Sequence, residues 1–157
     1  MHGRYRRSCE HALKLLPEMM HDKRIPDPRA PALLLVEANE FIRARLHDWF
    51  QCEFPQYRFL EAASFDQARQ LAFAHQPLVA LVDIDMPHAE GFDVLRMLRG
   101  VIPDAHLIAL SMYHAEAYRQ FAANAGAIAC LSLHMSDSML RNLVGVVLAD
   151  PPQPKRA

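Results

Sequence analysis

Three side chains able to do chemistry each close a short apolar run: Glu37 after Leu33 to Val36, Asp83 after Leu78 to Val82, and Ser111 after Leu107 to Leu110. A run of four or five apolar residues that stops at a polar one has the length and pattern of a buried strand. An aspartate after a strand most often only begins a turn. Here the pattern recurs with a second acid and with a hydroxyl, which predicts one site assembled at one edge of a sheet. A carboxylate nucleophile beside further acidic oxygens and a hydroxyl suits phosphoryl transfer. Magnesium takes hard oxygen ligands and bridges to phosphate, and a hydroxyl can contact a phosphoryl oxygen.

The elements that must position these groups can be read in order. Residues 32–36 form a first strand, and Asn39 caps a helix whose Ile42, Leu46, Trp49 and Phe50 share one face. A short strand near Tyr57–Glu61 follows Pro55, and Ser64-Phe65-Asp66-Gln67 has capping-box spacing ahead of a helix faced by Phe65, Ala68, Leu71 and Ala72. The Leu78–Val82 strand leads through Pro87 and Gly91 into a helix expected from Phe92 to Leu98 and stopped at Gly100. After Pro103-Asp104 come a strand at His106–Leu110, a helix at about 115–125 ended by Gly126, and a strand at Ala127–Leu131. Ser136 caps a last helix with Met139, Leu140, Leu143, Val144 and Val147 on one face, and Asp150-Pro151-Pro152 stops it.

Strand and helix alternate five times, and the strands, apart from the short second one, are continuous apolar runs. Both facts predict an α/β, doubly wound, five-stranded parallel sheet of the flavodoxin-like order 2-1-3-4-5, covered by helices on both faces. In that order the switch point lies between the first and third strands, and ligands bind beyond the strand carboxyl ends there. Residues 31–150 make this domain. Residues 1–30 form a basic, proline-containing extension in which Cys9 to Met20 could make a short helix, and residues 151–157 form a tail.

The 157 residues suffice for one domain with a real core. Seven Lys/Arg against four acids fall in residues 1–30, whereas residues 31–150 hold fourteen acids, eight arginines and no lysine. The acidic body argues against direct nucleic-acid binding. No apolar run could span a bilayer, and MHGRYRRSCE lacks the apolar core of a signal peptide. The three separated cysteines, Cys9, Cys52 and Cys130, read as reduced thiols of a cytoplasmic protein. His2, Cys9, His11 and His21 fit no standard metal-site spacing, and His11 lacks the helical bundle a phosphotransfer histidine needs.

With these residues in view, the chain resembles the response-regulator receiver family over residues 31–150. The resemblance rests on Leu-Val-Asp-Ile-x-Met-Pro-x-x-x-Gly at 81–91, on Ala109-Leu110-Ser111-Met112, and on Ala125-Gly126-Ala127. The later segments are most similar to receivers that precede a helix-turn-helix DNA-binding domain, which the seven residues from 151 to 157 are too few to form. The resemblance implies that Asp83 is the phosphoacceptor and Ser111 the switch hydroxyl. It implies magnesium held by Glu37, Asp83 and the backbone carbonyl of Asp85. It also implies a histidine kinase or phosphotransfer protein upstream and a protein partner downstream, with a homodimer left open.

Three positions depart from the family pattern. Ala38 replaces the second acid after the first strand, Leu133 replaces the lysine that pairs with the phosphoryl group, and Cys130 replaces a switching aromatic residue. A methyl for a carboxylate weakens magnesium binding, and the missing lysine removes a stabiliser of the transferring group. No lysine within 31–150 can be borrowed; His134 and Arg141 are expected at the solvated surface, and Glu40 as an ordinary helix-start acid. Two readings stay open: an atypical receiver with a degenerate, weakly magnesium-binding site, and a phosphorylation-independent interaction module with a receiver fold. An enzyme is disfavoured. Asp83-x-Asp85 resembles the nucleophile motif of haloacid-dehalogenase-type phosphatases, but the later lysine and acidic pair those require do not follow.

Overall fold

The structure, a computed structural model, describes residues 27–87, 90–113, 116–134 and 136–150. Its elements run β1 (Ala32–Val36), α1 (Glu40–Glu53), β2 (Arg58–Ala62), α2 (Phe65–His75), β3 (Val79–Asp83), α3 (Glu90–Val101), β4 (His106–Ser111), α4 (Glu116–Asn124), β5 (Ala129–Ser132) and α5 (Asp137–Ala149). The strands form one parallel sheet ordered β2-β1-β3-β4-β5. The extension expected over residues 1–30, with its helix from Cys9, lies almost wholly outside the described residues, as does the tail at 151–157.

Continuous apolarity in the strands has a direct cause. Alternate side chains point to opposite faces, and both faces are covered. Leu34, Val36, Ala80, Val82, Leu107 and Ala109 pack against α2, α3 and α4 through Ala68, Ala72, Val94, Leu95, Leu98 and Ala122. Leu33, Leu35, Val79, Leu81, Ile108 and Leu110 pack against α1 and α5 through Phe50, Val144 and Leu148. A one-residue slip of any central strand would exchange the two sets, so the register that aligns the strand ends is tightly held.

The predicted caps form at two helices. Asn39 accepts from the amides of Phe41 and Ile42, and Ser64 accepts from Gln67 while the Gln67 side chain accepts from the Ala63 amide. Ser136 stands at the start of α5 without a capping bond from its side chain. Met139, expected on the buried face of that helix, is exposed.

Several boundaries shift by a residue or two from the sequence expectation, and two of these shifts have a clear local cause. α3 continues through Gly100 to Val101, because an exposed glycine inside a helix costs only about 1 kcal/mol and the effective stop is Pro103. β5 begins at Ala129 and not at Ala127, because the Ala127 amide still bonds to Ala122 at the end of α4 across the left-handed Gly126 (φ 101°). Among the described residues no helix is long and apolar enough to cross a membrane.

Candidate functional site

Register places the polar strand ends together. Val36 pairs with Val82, and Asp83 pairs with Leu110. Glu37, one step past β1, therefore stands beside Asp83 at the end of β3, and Ser111 ends the neighbouring β4. All three are buried among otherwise apolar strand ends. The crevice between β1 and β3 is the topological switch point, where ligand sites of such sheets form.

Local sequence shapes each part. Asp83 is held by the amide of Asp85, which donates to its Oδ1 at 2.9 Å. The loop that follows must fold tightly so that α3 can start against it. Gly91 permits this, since a Cβ there would lie 2.4 Å from the Ile84 Cα and 2.5 Å from the Asp83 carbonyl oxygen. The glycine in the 81–91 motif is thus a requirement of close packing behind the acid.

Glu37 is the most perturbed group. Its Oε1 accepts from the Asn39 amide at 2.8 Å, whereas its buried Oε2 finds no donor in the protein. Burial, with the Asp83 carboxyl beside it, pushes Glu37 up to about 7 against the opposing effects of the Asn39 amide and the Arg43 guanidinium. Burial also raises Asp83, opposed chiefly by the hydrogen bond from the Asp85 amide. Two carboxyls sharing a buried crevice hold a proton between them more tightly than either would alone.

The positions that depart from the family pattern are filled by neutral groups. Ala38 is half-buried and adds no oxygen ligand beyond its backbone, and its carbonyl accepts from Arg43 at 3.3 Å. The same guanidinium donates to the Glu37 carbonyl at 2.8 Å and lies 3.9 Å from Glu61 on β2. Leu133 donates its amide to the Ser111 carbonyl at 2.9 Å, and its side chain packs into the apolar cluster with α1 and α5. Arg141 is tied to Glu53 across α1 and α5, and Glu40 is exposed at the start of α1. Cys130, free and half-buried, lines an open cavity of about 290 Å³ with Tyr113, Arg119, Ser132 and His134. Burial raises its thiol above the usual range, so it is not an activated nucleophile.

Among the described residues no group of three or more His, Cys, Asp or Glu side chains could hold a metal. Magnesium nonetheless keeps several waters and needs only one or two carboxylates besides phosphate oxygens. Glu37, with its donorless buried Oε2, and Asp83 meet that minimum, and the Asp85 carbonyl would add a third oxygen. The site fits magnesium in a reduced form.

Two features were not anticipated from the sequence. One is Arg43 over the end of β1; its place six residues after Glu37, on the first helix, was the available signal. The other is the Asp85 side chain. It accepts from the Ser111 hydroxyl at 3.0 Å on both oxygens and from the Met112 amide at 2.5 Å, while Ser111 Oγ accepts from the Tyr113 amide at 3.0 Å. The family resemblance implies a role only for the backbone carbonyl of Asp85.

Comparison with known proteins agrees with this geometry. The family model described as "Response regulator receiver domain" matches residues 33–145. Among solved structures, the signal receiver domain of a DNA-binding response regulator from Colwellia psychrerythraea 34H superposes with a TM-score of 0.71 at 16% identity, covering 76% of this chain and 99% of that one. A LuxR-family two-component response regulator from Aurantimonas sp. SI85-9A1 gives 0.69 at 22% identity, covering 75% of this chain and 84% of that one. A CheY-like receiver domain protein from Methanospirillum hungatei JF-1 gives 0.68 at 23% identity over 76% and 94%. At these identities the structures establish likeness of fold. No curated protein sequence matches the chain.

Proposed function

From the premise that the chain belongs to the response-regulator receiver family, we propose that it is an atypical receiver of two-component signalling whose phosphoacceptor site is strongly attenuated. The observation that carries this reading is the composition of the strand-end crevice. Asp83 stands between Glu37 and the β4 end with Ala38 and Leu133 at the two positions where charge is missing.

Asp83 is the acceptor. One of its oxygens attacks the phosphorus of a phosphohistidine on a histidine kinase or phosphotransfer protein, or of a small acyl phosphate. The bond to the leaving group breaks, and that group departs with the electron pair, leaving an acyl phosphate on Asp83. Magnesium, when bound by Glu37, Asp83 and the Asp85 carbonyl, supplies positive charge for the transferring phosphoryl oxygens. Glu37 must give up its proton to serve as a ligand, and burial beside Asp83 opposes that. The output is a contact with a protein partner, without direct nucleic-acid binding by residues 31–150, which hold fourteen acids against eight arginines.

The test is incubation with acetyl phosphate and magnesium, read by intact mass. Wild type should gain a single phosphoryl group slowly and incompletely, and Asp83→Asn should gain none. Ala38→Asp together with Leu133→Lys should restore fast modification beyond either change alone, since both groups act on the same phosphoryl oxygens. If the double variant also takes no phosphoryl group, Asp83 is not an acceptor. The second reading, a module that works without phosphate, is favoured by one contact: the Ser111 proton is already committed to Asp85. Under it, Asp83→Asn leaves partner affinity unchanged.

A further inference from the structure

The Asp85 carboxylate occupies the hydrogen-bond donors that a phosphoryl group on Asp83 would need. Under the proposed function, a phosphoryl group on Asp83 would face the end of β4, whose Leu110 is the register partner of Asp83. That strand end offers the Ser111 hydroxyl and the Met112 amide. Both already end on Asp85, at 3.0 Å and 2.5 Å. A serine hydroxyl has one proton to give. Here it lies between the two Asp85 oxygens, while the Ser111 oxygen accepts from the Tyr113 amide at 3.0 Å. Neither donor is left for another anion unless Asp85 withdraws.

We infer that Asp85 is the resident anion of this site, a built-in stand-in for the phosphoryl group that holds residues 111–113 against β3 without phosphorylation. The inference deepens the proposed function and rests on it for the placing of the phosphoryl group, but the contact itself does not depend on that placing. Hydrogen bonds to an ionised carboxylate are the stronger kind, and Asp85 is only partly exposed, which limits screening by water. The contact continues a backbone link, since the Ile84 amide bonds to the Leu110 carbonyl at 2.9 Å. Within the tethered segment Met112 and Tyr113 are exposed, and the Tyr113 ring lies 5.7 Å from that of Tyr118 on α4. The tether therefore determines the surface at the start of α4 in the unmodified chain. A phosphoryl group arriving on Asp83 meets a carboxylate of like charge in place of free donors, which adds to the effects of Ala38 and Leu133.

Amide hydrogen exchange by NMR tests this on the full chain as wild type, Asp85→Asn and Asp85→Ala, together with acetyl phosphate labelling of each. The Met112 and Tyr113 amides should exchange at least about tenfold faster in Asp85→Ala, with Asp85→Asn between, while the β1 amides stay unchanged. Asp85→Ala should also be labelled on Asp83 several-fold faster than wild type. Unchanged exchange at Met112 and Tyr113 would overturn the inference. So would measurable but equal labelling of wild type and Asp85→Ala, which leaves the acceptor reading intact. If those amides loosen but no form is labelled, the tether by Asp85 stands and the acceptor reading falls.

Discussion

Replacing Glu37 by glutamine should stabilise the protein at about pH 8 and change it little at about pH 5. Glutamine keeps the length of the side chain. Its carbonyl oxygen can take the Asn39 amide now bonded to Oε1 at 2.8 Å, and its NH2 can donate to Asp83. What it removes is a buried carboxyl whose folded value is pushed from 4.5 to about 7. A group raised on folding contributes stability that is fully present below the unfolded value and is lost as pH rises through the folded one. For Glu37 that window runs from about 4.5 to about 7, and at 1.36 kcal/mol per pH unit the loss reaches at most about 3 kcal/mol. Glutamine carries no such loss, so above neutrality the variant should exceed wild type by up to about 3 kcal/mol. Urea unfolding in chelator, followed through Trp49 beside Phe50 (ring centroids 4.9 Å apart), measures this across the pH range. Parallel stability profiles for the two proteins would refute the claim that Glu37 bears a buried, Asp83-coupled proton, as would a loss of stability of equal size at both pH values.

Two further outcomes follow from the same geometry. Magnesium must displace the Glu37 proton, so its affinity by calorimetry should rise by up to about tenfold per pH unit below about 7 and level off above; a pH-independent affinity would exclude Glu37 as a ligand. Gly91→Ala should cost roughly 1–3 kcal/mol in urea unfolding and slow acetyl phosphate labelling of Asp83, because its Cβ would fall 2.4 Å from the Ile84 Cα; unchanged stability and labelling would show that the loop carrying Asp85 yields freely.

The sequence by itself determined the sheet, the helices and the acids that could meet at its edge. These are local properties: four apolar runs of strand length, a shorter mixed strand after Pro55, the helical period between them, and the caps at Asn39 and Ser64 each act over a few residues. Burial on both faces turned those runs into parallel strands, so Glu37, Asp83 and Ser111 could be expected at one edge before any coordinates. Ala38 and Leu133 were legible as missing charges because the motifs around them fixed their positions. Where α3 passed Gly100, local signals were too weak: a glycine is a frequent stop but costs a helix little.

Only the tertiary structure decided which side chains the strand ends would pair with. Asp85 and Ser111 are 26 residues apart, and their contact depends on the β3–β4 register and on the tight loop that Gly91 allows. The Arg43 contacts with the Glu37 and Ala38 carbonyls depend on how α1 crosses the end of β1. The shift of Glu37 is likewise a property of packing, since a carboxyl is ordinary in sequence and becomes perturbed only where water is excluded and Asp83 lies beside it. Periodicity reports which face of an element is buried; it carries no information about what stands opposite a polar side chain where several elements end together.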